Sequence, residues 1–372
     1  MVKGSKGQQD VTRKADASQE VHVAESLVHD LRAMIEEARQ QVGRTVNSAI
    51  VVLYWRIGER IRREVLGPER ARYGEQIVYA VGRQLTEACG PGFGEKNLRH
   101  MIRFFEVFPD EQIVISLSRQ LSWTHLRSIM YLDDPLRREF YSEMCRAEGW
   151  SVRTLRDKIN GMLFERTALS RKPDKLARKE LAALRDDGRL SPDLVFRDPY
   201  FLNFLGLKDT YSERDLEDAI LREMERFILE LGVGFAFVAR QRRITIDDED
   251  YYIDLLFYHR RLRRLVAIDL KLGRFQAAYK GQMELYLRWL DEYERQSDEQ
   301  PPIGLILCAD KSEEHIRLLK LDRGHIRVAA YMTELPPKEV LEQKLRAAVV
   351  AAREQLETRP IEESTDERPT ER

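Results

Sequence analysis

The sequence lacks the features of secreted, disulfide-stapled and membrane-spanning proteins. It contains three cysteines in 372 residues, and their wide spacing fits neither a disulfide framework nor a zinc site. No apolar run approaches the roughly 18 residues that a membrane-spanning helix needs, and the N-terminus has no apolar signal segment. We therefore expect a protein with no membrane partner, located in a reducing compartment, the cytoplasm.

The sequence also has almost no net charge. The chain carries 62 Lys and Arg residues against 63 Asp and Glu residues, although charged residues make up 34% of it. A balance so close to zero provides no overall attraction to nucleic acid, so any such binding must come from local basic patches. The hydrophobic fraction of 43% is typical of a soluble globular protein.

The length of the chain and the positions of its Pro- and Gly-containing breaks indicate two domains with connecting and terminal segments. Both ends of the chain are polar and poor in apolar residues, which is typical of disordered tails. Helical periodicity dominates the first half, a charged stretch with Pro and Gly interrupts it, and strand-like runs follow. We expect disordered tails at 1–20 and 358–372, a helical N-terminal domain at 21–168, a linker at 169–200, an α/β domain at 201–335 and a final helix at 336–357.

A glycine-rich loop in the helical domain leads into a helix with a basic outer face. The loop spans 90–94 and the helix spans 95–108. The outer face carries Lys96, Arg99 and Arg103, an arrangement typical of a helix-turn-helix recognition helix that contacts DNA phosphates. An ordinary solvated helix face has the same composition, so both interpretations stay open.

Two short apolar runs in the α/β domain place acidic residues on neighbouring strands. Asp254 lies in the run 252–258, and Asp269-Leu270-Lys271 begins fifteen residues later. Both runs are rich in aromatic and branched residues, which predicts strands, and the charged segment between them has the length of a hairpin turn. Since side chains alternate along a strand, Asp269 and Lys271 share one face and Leu270 points to the other.

The charged turn of this hairpin is a second candidate for DNA binding. Its sequence at 259–264 contains four arginines within six residues. Arginine side chains neutralise backbone phosphates and release their counterions. The turn therefore competes with the basic helix as the source of DNA affinity, through Arg260, Arg261, Arg263 and Arg264.

Two carboxylates and a lysine on adjacent strands suit metal-assisted phosphodiester hydrolysis. Mg²⁺ takes one or two carboxylates together with waters and substrate phosphate, and it lowers the pKa of its bound water. Asp254 and Asp269 are the predicted metal ligands, with the backbone carbonyl of Leu270 as a further ligand. Lys271 would orient the attacking water or balance the phosphate charge. The expected cofactor is Mg²⁺ or Mn²⁺.

A further acid is predicted on the helix that precedes these strands. Residues 213–231 have the periodicity of an amphipathic helix, and Glu217 falls inside its apolar stripe. An acid on a core-facing stripe is costly unless it is paired or bound to a metal. Glu217 is therefore a candidate ligand, the alternative being an edge residue with a salt bridge.

The strand residues resemble a known nuclease signature. Asp254 followed by Asp269-x-Lys271 is similar to the PD-(D/E)XK pattern, with Ile253 in the place of its proline. This resemblance implies that the three polar residues form a catalytic set. It also implies that Glu217 is the additional acid that many such enzymes carry on the helix before the first core strand.

A second motif strengthens this resemblance. Gln282 and Tyr286 lie four residues apart on a predicted helix, a spacing that places both side chains on one face. The pair resembles the Q-x-x-x-Y motif that follows the catalytic lysine in the RecB-like branch of the superfamily. The resemblance implies that Gln282 and Tyr286 belong to the catalytic site.

The chain as a whole, over roughly residues 24–350, resembles the YhcG-like family. The stretches that carry the likeness are 121–126, 230–238, 253–259 and 281–283. The family implies an α+β two-domain protein, with an all-α N-terminal domain and an α/β C-terminal domain of the PD-(D/E)XK, restriction-endonuclease-like type. It also implies a Mg²⁺-dependent deoxyribonuclease that acts on DNA, with homo-oligomer formation left open.

Two classes of function are compatible with the sequence. The first is a metal-dependent DNA nuclease, endonucleolytic, with DNA engaged partly by the helical domain. The second is a catalytically silent DNA-binding or assembly module on a nuclease fold, since folds outlive their activities. A lone Asp-x-Lys on a strand is also typical of a surface ion pair. The presence of Asp254, Asp269 and Lys271 in the correct order favours the nuclease.

Overall fold

The computed structural model describes residues 46–63, 71–207, 210–321 and 324–357. The predicted tails at 1–20 and 358–372 lie outside the described residues. The chain divides into two compact units, Met1–Leu132 and Asp133–Arg372. Within the described ranges, no helix is both long and apolar enough to cross a membrane. Cys89, Cys145 and Cys308 are free thiols.

The described part of the first unit is helical. Its elements are α1 (46–63), α2 (Ala71–Cys89), a 3-10 turn (Pro91–Phe93), α3 (Glu95–Val107), α4 (Glu111–Ser118) and α5 (Trp123–Ile129). The core forms around Val78, Leu98 and Met101. Gly58 allows α1 to approach α3 closely, because a Cβ atom at this position would lie 2.0 Å from the carbonyl oxygen of Met101.

The second unit consists of helices followed by a mixed sheet with helices on both faces. Its first part contains α6 (Pro135–Glu148), α7 (Val152–Asn160), α8 (Leu163–Arg166), a 3-10 turn (Ala168–Arg171), α9 (Asp174–Asp187) and α10 (Pro192–Val195). Its second part contains β1 (Tyr200–Phe201), a 3-10 turn (Asn203–Leu205), α11 (Glu213–Arg222), α12 (Met224–Leu231), β2 (Phe235–Ile246), β3 (Glu249–His259), β4 (Arg264–Arg274), α13 (Ala277–Tyr293), β5 (Ile303–Asp310), α14 (Glu313–Leu318), β6 (Ile326–Met332) and α15 (Lys338–Glu357). The helix predicted at 213–231 is thus two helices that meet at Glu223.

The six strands form one sheet in the order β1-β6-β5-β4-β3-β2. Strands β2, β3 and β4 are antiparallel, whereas β4, β5, β6 and β1 run parallel. Val266, Ile268 and Leu270 pack into the core under α11 and α12, and Ala267 faces the core under α13. The side chains of β4 therefore alternate between the two faces of the sheet, as predicted. By the same alternation, Asp269 lies on the face that α13 covers.

The segment 169–200, predicted as a linker, is part of the second unit. Helix α9 occupies its centre, and Ala177, Leu181 and Leu184 are buried there. These three residues have the spacing of a single helix face. The many charges around them predict a linker with a short exposed helix at 175–186, whereas one face of the helix is buried. Several of those charges are paired across to α6, as in the 2.9 Å contact between Arg185 Nε and Glu143 Oε1.

Helix α15 closes the second unit against residues that lie far back in the chain. Leu341 and Leu345 form a buried cluster with Met162. Arg353 Nε donates a hydrogen bond of 2.7 Å to the carbonyl oxygen of Ser170, across 183 positions of sequence. The last helix is therefore an integral part of the unit, and its apolar face is covered by the region around α8.

A substitution in α9 tests whether this segment is built into the fold. Leu181 is fully buried, so we expect Leu181→Ala to lower the free energy of unfolding by about 2 to 5 kcal/mol, through lost burial and a residual cavity. Leu176 lies on the same helix and is 52% exposed, so the matched Leu176→Ala variant should stay within about 0.5 kcal/mol of the original protein. Urea unfolding measures both. Equal, small effects of the two substitutions would support the linker instead.

Candidate active site

The carboxylates meet where the pairing of β3 and β4 ends. The ladder runs from His259 opposite Arg264 to Leu255 opposite Ile268. Asp254 is the next residue on β3, and its Oδ2 accepts a hydrogen bond of 2.8 Å from the backbone N–H of Leu270. A side-chain carboxylate thus satisfies a backbone donor beyond the last paired residues. Asp254 and Leu270 are held together by this bond.

Asp269 and Lys271 form an ion pair on the same face of β4. Lys271 Nζ lies 3.0 Å from Asp269 Oδ2, and both side chains are largely buried. Burial raises the pKa of Asp269 to about 7, with the Asp254 carboxylate adding to the rise and Lys271 opposing it. Burial would lower the pKa of Lys271, but the Asp269 carboxylate outweighs it and the net direction is upward. Lys271 is therefore held in its charged form.

Glu217 approaches the site from α11, as its position on the apolar stripe predicted. The residue is 7% exposed. Its Oε2 accepts a hydrogen bond of 2.8 Å from Gln241 Nε2, which also donates to Asp254 Oδ1 at 3.1 Å. Its Oε1 is buried without a hydrogen bond, and the nearest cation is Arg240 Nε at 3.7 Å. Burial raises the pKa of Glu217.

Gln241 is a residue of the site that the sequence analysis missed. It lies on β2 between the pairs Arg240–Leu255 and Arg242–Ile253, which places it opposite Asp254. Its φ of 44° is in the left-handed region, which is rare for a residue with a side chain. Such conformations persist where surrounding contacts impose them, and they cluster at functional sites. The glutamine is flanked by arginines in a charged strand, and nothing in that local pattern signals its conformation.

Gln282 and Tyr286 pack on the same side of the sheet as Asp269. Gln282 Nε2 donates a hydrogen bond to the Tyr286 hydroxyl, and Tyr286 is 1% exposed. Burial raises the pKa of Tyr286, and the charges of Asp269 and Asp254 raise it further. Tyr279, also on α13, was not predicted, and its ring centroid lies 5.2 Å from Lys271 Nζ.

The two basic patches occupy different surroundings. On α3, Lys96 and Arg99 are exposed and Arg103 is half-buried, while Arg99 is paired with Glu95 at 2.8 Å. These residues belong to the first unit, and the hairpin turn belongs to the second. His259, where the turn begins, lies five residues along β3 from Asp254, which is roughly 16 Å of strand.

The arginines of the turn are occupied mainly in structural contacts. Arg261 Nη1 lies 3.1 Å from Glu148 Oε1 and contacts the carbonyl oxygen of Ala147, and its Nη2 donates to the carbonyl oxygen of Gly188. Arg263 is paired with Asp298, and Arg264 is half-buried. Arg260 is exposed. Tertiary contacts of this kind cannot be anticipated from a run of like charges, and they weaken the turn as a DNA-binding patch.

The donor set fits a hard divalent cation. Mg²⁺ and Mn²⁺ prefer oxygen ligands, and Mg²⁺ is commonly held by one or two carboxylates plus waters. Asp254 and Asp269 supply such carboxylates beside the Leu270 carbonyl. Within the described ranges, no group of three or more His, Cys, Asp or Glu side chains is placed so that it could hold a metal ion by itself, so a cation here would rely on two carboxylates and non-side-chain ligands. The orphaned Oε1 of Glu217 is a buried acceptor that a cation or its water would compensate.

Replacing the amide of Gln241 by a carboxyl group tests its part in the site. In Gln241→Glu the shape is kept, but an ionised carboxylate cannot donate to Glu217 and Asp254. We expect the free energy of unfolding at pH 8 to fall by about 1 to 3 kcal/mol. The deficit should shrink as the pH falls towards 5, because the introduced carboxyl group takes up a proton and regains a donor.

The matched control is Gln343→Glu, which makes the same charge change at an exposed position of α15. Its stability should differ little from that of the original protein across this pH range. A Gln241→Glu variant that follows the control at every pH would show that the amide holds neither carboxylate.

Comparisons with known proteins agree with the fold. Residues 193–346 match the family model of the YhcG PDDEXK nuclease domain, and residues 30–166 match the DUF1016 N-terminal domain. The protein "Putative nuclease YhcG" of Escherichia coli (strain K12) is 34% identical over 359 residues, which cover 88% of this chain and 93% of that protein. The predicted α+β organisation, a helical N-terminal region followed by a PD-(D/E)XK-type domain, is confirmed.

Two solved structures have a more distant likeness. One is a repair endonuclease from Pyrococcus abyssi, 18% identical with a TM-score of 0.25, over 35% of this chain and 50% of that one. The other is EndoMS in its apo form, 18% identical with a TM-score of 0.24, over 35% of this chain and 49% of that one. The identity over nearly the whole length of the E. coli protein, together with both domain matches, shows that the chain belongs to the YhcG family of PDDEXK nucleases.

Proposed function

We propose that this nuclease is a divalent-metal-dependent deoxyribonuclease that cuts within DNA strands. The observation that carries the proposal is the convergence of Asp254, Asp269 and Lys271 at the end of the β3–β4 ladder. The Leu270 N–H bond fixes the first of these, and the 3.0 Å ion pair joins the other two. A surface ion pair on a strand end would be exposed, whereas Asp269 is 2% exposed. Burial of a charged pair beside a second carboxylate is typical of a functional site.

Each residue of the site has a role in this proposal. Asp254, Asp269 and the Leu270 carbonyl would hold the metal, with Glu217 bound to it directly or through water. When bound, a divalent cation lowers the pKa of its water and neutralises charge that develops on the phosphate. Lys271 orients the attacking water or stabilises the phosphate, since Asp269 keeps it protonated and so unavailable as a free base.

The pair on α13 completes this arrangement. Gln282 and Tyr286 are hydrogen-bonded to each other, and the tyrosine lies in the same core cluster as Met283 and Ala267. In the proposed site they support the face of β4 from which Asp269 and Lys271 project. Their partly buried hydrogen bond restricts the side chains to one arrangement, which favours a fixed position for the reacting groups.

Cleavage assays separate this function from the silent alternative. The substrates are linear, closed circular, single-stranded and branched DNA, each with Mg²⁺, with Mn²⁺ and with chelator. We expect metal-dependent nicking of closed circular DNA, which has no ends and so reports internal cutting. Asp254→Asn and Asp269→Asn should abolish it, and Lys271→Ala should reduce the rate roughly 10² to 10³-fold with a much smaller change in DNA affinity.

Lys280 provides the matched control for Lys271, because it is a half-exposed lysine on α13 that pairs with Glu284 at 3.3 Å. Lys280→Ala should retain the original cleavage rate. DNA that remains intact under every metal condition, while still bound by the protein, would favour the DNA-binding or assembly module. Loss of affinity alone in Lys271→Ala would overturn the proposed role of that lysine.

We further propose that the helical unit supplies part of the DNA affinity through Lys96, Arg99 and Arg103. Each neutralised phosphate releases counterions, so the logarithm of affinity on duplex DNA falls with that of salt by about 0.9 per contact. Replacing all three residues by Ala should weaken binding and flatten the salt slope by roughly two to three units. The measurement is duplex affinity at several salt concentrations with chelator present.

The hairpin turn provides the comparison for this experiment. Arg260 is exposed and Arg263 is paired at the surface. The Arg260→Ala, Arg263→Ala variant therefore removes charge from the turn without disturbing the contacts of Arg261 with Glu148 and Gly188. Its salt slope should change less than that of the α3 variant. A larger change in the turn variant would move the DNA-binding surface to the second unit.

A further inference from the structure

The first unit contains a cavity of 570 Å³ beside the start of α3. Its lining includes Lys96, Asn97 and His100 from α3 and Trp123 and Arg127 from α5. A volume of this size falls within the range of about 300 to 1,000 Å³ that is typical of small-molecule sites. It exceeds the needs of a single water or simple ion. The chemistry of the lining decides what such a cavity accepts.

Two buried nitrogen atoms in this lining have no hydrogen-bond partner among the described residues. They are Nε2 of His100 and Nε of Arg127. The other ring nitrogen of His100 lies 2.6 Å from the Tyr131 hydroxyl, so the histidine is oriented by its neighbour while Nε2 is left over. Buried polar atoms without a partner are uncommon in folded proteins, where waters, ions or ligands usually satisfy them.

The remaining polar groups leave the cavity with donors and positive charge. Asn97 is fully engaged, because its amide donates to the Gly92 carbonyl and accepts from Trp123 Nε1 at 3.3 Å. Lys96 and Arg127 contribute two cations. Burial lowers the pKa of His100, and the charges of Arg127 and Lys96 lower it further. The field inside the cavity is therefore positive.

The one acid in the lining does not cancel this field. Glu95 is directed into an ion pair with Arg99 of the next helical turn, at 2.8 Å. The positive field would repel a cation. An anion with several acceptor oxygens would instead accept hydrogen bonds from Lys96 and Arg127. Arginine and lysine together are typical of sites for phosphate. A dianion matches the two cations better than a monoanion does.

We propose that this cavity binds a phosphate monoester, as carried at the end of a nucleic-acid strand or by a free nucleotide. The inference rests on the proposed nuclease function for the nucleic-acid context of the ligand. Lys96 and Arg127, which both line the cavity, pair with the phosphate oxygens. The space beyond the phosphate accommodates the attached nucleoside. The site would therefore distinguish a phosphorylated strand end from the phosphodiesters along a strand.

The test is binding of matched oligonucleotides to the full chain with chelator present, measured by fluorescence anisotropy. The probes are a single strand with a 5′-phosphate, the same strand with a 3′-phosphate and the same strand with hydroxyl ends, with a deoxynucleoside 5′-monophosphate as competitor. We expect at least one phosphorylated strand to bind about tenfold more tightly than the hydroxyl strand, and the mononucleotide to compete. Arg127→Gln should remove this preference. Because chelator prevents turnover, the result does not depend on whether the chain cleaves DNA.

Two further variants keep the test decisive. Lys96→Gln changes an exposed residue, so the variant should fold normally. It should also reduce the preference for the phosphorylated strand. Arg119→Gln makes the same charge change at an exposed position of the same unit outside the cavity and should retain the full preference. Competition by the mononucleotide without any strand preference would identify a free nucleotide as the ligand. Equal binding of all strands without competition, or a preference that survives both cavity substitutions, would overturn the proposal.

Discussion

The candidate active site depends on one hydrogen bond, from the backbone N–H of Leu270 to the carboxylate of Asp254. It forms just past the last residues that pair β3 with β4. Because the side-chain acceptor takes up the strand donor, Asp254 is fixed relative to β4 and hence to Asp269 and Lys271. A shift of β4 by one residue would carry those two side chains to the opposite face of the sheet. The register of a few paired residues therefore controls the geometry of the whole site.

Electrostatics in this site is a balance between burial and pairing. Two carboxylates and a lysine lie close together with little access to water, and a third carboxylate reaches them through the Gln241 amide. Each buried charge is stabilised by another group. Lys271 forms an ion pair with Asp269, and the Leu270 N–H and the Gln241 amide donate hydrogen bonds to Asp254. The Tyr279 ring near Lys271 adds a further favourable contact for the ammonium group. Glu217 Oε1 has no hydrogen bond, so a bound cation or its water would gain a buried acceptor there.

The sequence predicted the parts of the site that follow from local periodicity. Strand alternation is enough to place Asp269 and Lys271 on one face, and helical periodicity is enough to place Glu217 in the core. Gln241 could not be predicted, because neither its left-handed backbone nor its contacts with Glu217 and Asp254, which lie on other elements, have a signal in the local sequence. The segment 169–200, predicted as a linker, illustrates a related limit: the charges of α9 find partners on α6, which only the folded structure brings into reach. A high content of charged residues predicts that a segment is exposed to water. Whether the segment is buried depends on the elements that pack against it.

The docking of α15 also determines when the nuclease unit can be completed during synthesis. The hydrogen bond from Arg353 to the carbonyl of Ser170 joins residues 183 positions apart. Contacts over such separations form late, because the chain must first close a long loop. During synthesis on the ribosome, the apolar surface around Met162 stays exposed until α15 has emerged and packed against it. Ribosomes that stall between residues 332 and 338 would therefore present this surface to chaperones, even though every strand of the sheet had already been synthesised.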